Sequence, residues 1–109
     1  MASFPKQSSV YWFDPEPAKG SEIHKIRPCI VVSPDDMNEN LNTVLVIPLT
    51  STIKAWPFRI RISILGRESS AACDQLRAVD KSRLRAYIGN LSKVESEKLY
   101  NLLQTIFSE

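Results

Sequence analysis

Seven consecutive residues, Phe58-Arg59-Ile60-Arg61-Ile62-Ser63-Ile64, alternate without a break between apolar and polar side chains. A period of two fits an extended strand, whose successive side chains point to opposite faces of a sheet. Phe58, Ile60, Ile62 and Ile64 are expected to face a core, and Arg59, Arg61 and Ser63 to face out. A strand with one buried face needs partners, and the rest of the chain supplies them. Val10–Phe13 is a short run of β-formers, and Pro28–Val32 and Thr43–Pro48 are apolar enough to be central strands. Gly66–Ser70 reads as a turn and Ala71–Val79 as a further strand. Asp80–Leu84 reads as a helical turn leading to a short strand at Ala86–Ile88. Ser33–Asp36 begins a turn with a short helix reaching Asn40.

The chain ends in a different periodicity. Ser92 and Glu95 have the spacing of a capping box, and Leu99, Leu102, Leu103, Ile106 and Phe107 then repeat as one helical stripe. That stripe must pack on the sheet or on a partner, with the sheet as the expected surface. Short strands followed by one terminal helix predict an α+β, mainly β fold: a curled antiparallel sheet forming a small SH3-like barrel capped by the helix. At 109 residues this is expected to be one domain over the whole length, 1–109.

Two connections are long and polar. Asp14–Arg27 carries Pro15, Pro17, Gly20 and charged residues, and Thr50–Pro57 begins with three hydroxyls. Loops this long in a small domain are usually functional or disordered. Net charge is only +2, but it is unevenly spread. Residues 41–90 hold eight Lys/Arg against three acids, whereas residues 1–40 hold four against six. A basic middle can offer a phosphate-binding face on a nearly neutral protein. Cys29 and Cys73 sit in strand-like text without metal-site spacing and are expected to be buried free thiols. No apolar run approaches the ~18 residues of a membrane span, and Met1–Ser9 lacks the apolar core of a secretory signal. These features predict a cytoplasmic protein with no membrane partner.

Four segments, in order, carry a family resemblance: Asp14-Pro15-Glu16-Pro17-Ala18-Lys19-Gly20-Ser21-Glu22 with Ile26-Arg27-Pro28 after it; Val46-Ile47-Pro48-Leu49-Thr50-Ser51; and the run from Cys73-Asp74-Gln75 to Arg83-Leu84. Together they resemble the MazF/PemK/Kid toxin endoribonucleases, from about Val10 to Phe107. The resemblance implies the small barrel shared with the CcdB gyrase poisons. It implies sequence-specific, metal-independent cleavage of single-stranded RNA, with no cofactor. It also implies a homodimer and an acidic, MazE-like antitoxin as partners.

Such cleavage needs a base for the 2′-OH, a cation for the phosphorane, a donor for the leaving 5′-oxygen and a groove that aligns the strand. The products would be a 2′,3′-cyclic phosphate and a 5′-hydroxyl. Arg27 matches the family's catalytic arginine, and its planar fork suits two phosphate oxygens. Thr50, with Ser51 beside it, matches the active-site threonine and is a candidate to hold the scissile phosphate. Glu22 matches the acidic position of the first loop, as a base or as a partner orienting Arg27. Asp74 and Gln75 match the family's Asp-Gln pair; some members pair such an Asp with an Arg two residues earlier, but Ala72 stands here. Asp74 is thus a candidate base or a residue that binds RNA and shapes the site. Lys54, Trp56, Arg77 and Lys81 are candidates to hold RNA, with Trp56 stacking on a base. His24 is the only histidine, but the family's loop histidine aligns with Ser21, so His24 is expected to be peripheral.

Ser8-Ser9 stands where the family usually has Gly-Asp, which predicts an altered start to the first strand. Two other functions fit the same barrel: a CcdB-like toxin that binds gyrase and cuts nothing, and a non-catalytic RNA-binding barrel. The CcdB proteins share a Trp-Gly-Ile ending, and this chain ends Ile106-Phe107-Ser108-Glu109.

Overall fold

The computed structural model describes residues 3–15 and 26–108. Most of the first long loop, with Glu22 and His24, therefore lies outside the described residues. Seven antiparallel strands form one curled sheet in the order β4-β5-β3-β2-β1-β7, with β6 also paired to β3. They are β1 (Ser9–Phe13), β2 (Arg27–Val31), β3 (Thr43–Thr50), β4 (Arg59–Ile64), β5 (Arg67–Ala72), β6 (Arg77–Asp80) and β7 (Leu84–Asn90). Two helices complete the fold, α1 (Asp35–Asn40) and α2 (Lys93–Ile106).

The middles of β2 and β3 are apolar because both of their faces are covered. Ile30 and Ile47 belong to the core beneath α2, with Val10, Leu49, Ile62 and Leu99. Cys29, Val31, Val44 and Val46 face the other way, against Phe13 and Val79. Both cysteines are buried free thiols, as expected. Burial pushes the Cys29 thiol up to about 12 and the Cys73 thiol up to about 11, so neither offers a nucleophilic thiolate at neutral pH.

The predicted strand over Ala71–Val79 is in fact two pieces. β5 pairs with β4 and with the end of β3, and β6 pairs with the start of β3. A 3-10 turn over Cys73–Gln75 separates them. The curl of β3 carries its two ends to different parts of the barrel, so one straight strand cannot follow the whole edge. The predicted turn at Gly66–Ser70 is shorter than expected. Leu65 and Gly66 alone make it, at φ +52° and +71°, the two positive angles of a tight hairpin loop. Arg67 onward is strand.

α2 carries the expected capping box: Ser92 Oγ accepts from Glu95 N, and Glu95 Oε1 accepts from Ser92 N. The second oxygen of the same carboxylate accepts from Ser63 N at 2.8 Å, tying the helix to the outer strand β4. Leu99 is fully buried, and truncating such a side chain to Ala costs about 2–5 kcal/mol. The stripe is covered only in part. Ile106 and Phe107 remain 40% and 73% exposed.

Ser8 precedes β1 and Ser9 opens it. Ser8 sits at φ +72°, a conformation that favours glycine. Its backbone joins β2 and the end of β7, donating to Val31 O at 2.7 Å and accepting from Leu91 N at 2.9 Å. Its hydroxyl meets Tyr100 Oη at 2.9 Å and accepts from Ser96 Oγ at 3.1 Å, contacts that glycine could not make.

Candidate active site

The register between β2 and β3 pairs Cys29 with Pro48 and Ile30 with Ile47. Continued by two positions, it sets Arg27 opposite Thr50. Both line a cleft of about 890 Å³ at this end of the barrel. Pro28, Leu49, Ile64 and Ile88 give it an apolar wall, and Trp12 stands at its side. Ser51, Thr52, Arg67, Glu68 and Ser69 supply the polar remainder.

The hydrogen bonds around Thr50 fix what it can do. Its Oγ1 accepts from Thr52 N at 3.1 Å, which leaves the hydroxyl proton to be donated elsewhere. β3 runs two residues further than its predicted end at Pro48, so Thr50 rests on a strand and not in a loop. A hydroxyl on a rigid element is aimed more reliably than one on a loop. Arg27 is exposed and makes no ion pair among the described residues. An Arg fork and a free O–H on paired strands can grip the oxygens of a phosphodiester.

A second cluster lies on the outer face of the same sheet. Thr50, Ser70 and Arg61 form one row across β3, β5 and β4. Arg59, two residues before Arg61, shares that face. With ~4.8 Å between strands and ~3.3 Å per residue, Arg59 stands roughly 12 Å from Thr50 along the sheet. It faces outward as predicted, yet its side chain is only 9% exposed. Asp74 accepts from its Nε at 2.9 Å and its Nη2 at 3.2 Å, while its guanidinium lies 5.0 Å from the centre of the Trp56 ring. Lys54 Nζ lies 5.5 Å from the same ring, and Phe58 packs beside it at 5.3 Å. The Arg59 hydrogen bonds hold the Asp74 carboxyl below its ordinary range. At Ala72, the position where the resemblance gives some members an arginine, the paired residue on β4 is Arg59.

A family model described as "PemK-like, MazF-like toxin of type II toxin-antitoxin system" matches residues 6–107. The chain belongs to this toxin family. Endoribonuclease MazF9 of Mycobacterium tuberculosis is 31% identical, over 91% of this chain and 92% of its own length. Endoribonuclease toxin MazF of Escherichia coli is 33% identical, over 69% and 68%. In a solved MazE–MazF crystal structure from Deinococcus radiodurans, a chain 24% identical superposes with a TM-score of 0.82, covering 94% of each chain. That likeness carries the fold.

The toxin thus brings Arg27, Thr50 and Ser51 together in one cleft and gathers Asp74, Lys54 and Trp56 around Arg59. Arg77 and Lys81 belong to neither group. Arg77 covers the Phe13 ring at 5.8 Å, at a small pocket shared with Arg83, and Lys81 follows β6 in a 3-10 turn whose N–H donates to Asn42 O. Gln75 is exposed at the end of the 3-10 turn after β5. Sequence reasoning missed Arg59, Arg67 and Glu68. Arg59 was assigned only to solvent, and the other two were hidden in a predicted turn. Glu68 pairs with Arg61 at 3.2 Å, so the cleft holds a carboxylate as well as two arginines.

Proposed function

We propose that this toxin is a sequence-specific endoribonuclease that cuts single-stranded RNA without a metal. The observation that carries the reading is that Arg27 of β2 and Thr50 of β3 line one cleft, in a chain whose relatives bear the name endoribonuclease. The RNA 2′-oxygen attacks the adjacent phosphorus, the bond from phosphorus to the 5′-oxygen breaks, and that oxygen leaves as a hydroxyl after gaining a proton. The other product is a 2′,3′-cyclic phosphate. Arg27 stabilises the negative phosphorane, since guanidinium is a strong fork donor and a poor acid. Thr50 donates its hydroxyl proton in a hydrogen bond to a phosphate oxygen. Glu22, which precedes Arg27 by five positions in the sequence, takes the 2′-OH proton. Arg67 adds a second cation to the strand's path.

The same reading makes the toxin a homodimer acting as one domain in the cytoplasm. The exposed Ile106 and Phe107 supply apolar surface for a second copy, and among the described residues no helix is long and apolar enough to cross a membrane. Its inhibitor is an acidic, MazE-like antitoxin that places carboxylates on the basic middle of the chain; the similar structure from Deinococcus radiodurans is one of MazE–MazF.

The test is cleavage of an unstructured, sequence-diverse RNA in excess EDTA by wild type and Arg27→Ala, with the ends read by mass spectrometry. Cyclic-phosphate ends made only by the wild type are expected. Absence of cleavage across the pool, or full activity in Arg27→Ala, would overturn the reading.

A further inference from the structure

Trp56 is 44% exposed, yet it is held on several sides. Pro57 and Phe58 occupy the centre of a turn closed by Arg59 N donating to Trp56 O at 3.1 Å. Proline at the first central position presets such a turn. The Phe58 ring abuts the indole, and Arg59 fixes it by a cation–π contact. Arg59 in turn cannot swing away, because both Asp74 oxygens grip it. An exposed aromatic surface already in contact with its neighbours before any ligand arrives costs little entropy to use. Arg59 and Asp74 offset one another, and Lys54 leaves the cluster with a net positive charge that suits a polyanion. Every base has a π-face, so a fixed indole accepts an unpaired base. Arg59, which holds the indole, stands roughly 12 Å from Thr50 along the sheet, a span of a few nucleotides at ~3.4 Å each when stacked.

We propose that Trp56, pinned through Arg59 by Asp74, is a stacking subsite for an unpaired RNA base a few nucleotides from the bond cut at Thr50, and that Asp74 is a positioning residue and not the base for the 2′-OH. The proposal rests on the ribonuclease reading above. A carboxylate with both oxygens committed to one guanidinium is a poor proton acceptor, and its lowered affinity for protons points the same way. Arg59, which the cleft does not include, becomes a determinant of which sequences are cut.

The experiment compares wild type with Asp74→Asn, Arg59→Lys and Trp56→Ala on the same diverse RNA pool. It measures kcat, KM, the pH profile of kcat and the base preference around the cut. A second measurement follows tryptophan fluorescence as single-stranded RNA with a 2′-deoxy sugar at the cleavage position is added. Stacking on an aromatic ring is worth enough that Trp56→Ala should raise KM about tenfold or more. Arg59→Lys and Asp74→Asn should raise KM severalfold and flatten the base preference at one position, with kcat and its pH profile within about twofold of wild type. The RNA-induced fluorescence change should shrink in both and vanish in its Trp56 component in Trp56→Ala. A fall in kcat of about a hundredfold or more in Asp74→Asn, with loss of the acidic limb of the profile and unchanged KM, would make Asp74 the base and overturn the proposal. Unchanged KM and preference in Trp56→Ala would overturn the subsite. If Asp74→Asn loses its fold by circular dichroism, Arg59→Lys decides the same question. If wild type cuts no RNA, the ribonuclease reading fails by itself. The fluorescence titration then decides the subsite, supporting it if RNA moves Trp56 and overturning it if not.

Discussion

The cleft at the end of β3 and the cluster around Arg59 lie on the same sheet and are built on opposite principles. In the cleft, Arg27 has no ion-pair partner among the described residues, and Thr50 keeps its hydroxyl proton to give away. Around Arg59, each charge and ring is already engaged by another: Asp74 by Arg59, Arg59 by Trp56, Trp56 by Phe58. Groups that must meet a transient charge are left for the ligand to satisfy, because their worth is realised only when that charge appears. Groups that must present a shape are satisfied in advance.

If that contrast holds, substitutions in the cleft should lower kcat, and substitutions in the cluster should raise KM. The largest effect is expected at Arg27, where Ala should lower kcat by about a hundredfold or more, as loss of an oxyanion donor does. Lys at the same position should recover only part of it, since an ammonium cannot fork. Single-turnover cleavage measures both. Thr50→Val, which keeps the β-branched shape, should lower kcat by about tenfold to a hundredfold, the worth of a hydrogen bond to a charged group. Retained kcat would move Thr50 out of the chemistry. Arg67→Ala should change kcat little and raise KM severalfold. It should also flatten the salt dependence of RNA binding by about 0.7 in log–log slope, the signature of one lost phosphate contact on a single strand. An unchanged slope would remove Arg67 from the RNA path.

A fourth prediction concerns acid. The Asp74 carboxyl is held below its ordinary value in the folded state by Arg59, so its pairing stabilises the fold above the unfolded value, near pH 4. That contribution fades as pH falls through the lower folded value. The stability gap between wild type and Asp74→Asn in urea titrations should therefore be present at pH 7 and close progressively below about pH 4. The gap should be small, because the carboxylate is partly in water. The smallest effect is expected at Ser8. Ser8→Ala keeps the unfavourable φ and loses the hydroxyl contacts to Tyr100 and Ser96, so it should cost about 1 kcal/mol or a little more. Ser8→Gly loses the same contacts but relieves the backbone, and should cost less than Ser8→Ala. Chemical denaturation ranks the two.

The sheet was legible wherever burial wrote a period into the chain. Alternation marked β4, continuous apolar text marked β2 and β3, and the capping box marked α2. β5 was not legible, because Arg67-Glu68-Ser69-Ser70 carries no strand period: its first two residues are exposed, and its polar text resembles a turn. The break at Cys73–Gln75 was hidden for a related reason, since apolar residues on both sides read as one strand while the curl of β3 divides them. In the candidate site, Arg27 and Thr50 were found by motif, but their meeting depends on the register between β2 and β3, which no local pattern encodes. Arg59 was legible as outward-facing and illegible as a contact. Its partner Asp74 lies fifteen positions away, and only the pairing of β4 with β5 brings them together.

The carboxylate of Glu95 has a consequence for how the molecule breathes. One oxygen closes the first turn of α2, and the other receives the Ser63 amide on the outer strand. Helix start and sheet rim therefore share a single latch. In hydrogen–deuterium exchange, the Ser63 and Ser92 amides should lose protection together, as one opening unit. The Glu95→Gln protein, which keeps the shape and sheds the charge, should hasten exchange at both sites. An unpaired rim amide is also what a neighbouring chain would capture to extend a sheet, so a helix that stays docked keeps this rim from serving as a template for aggregation.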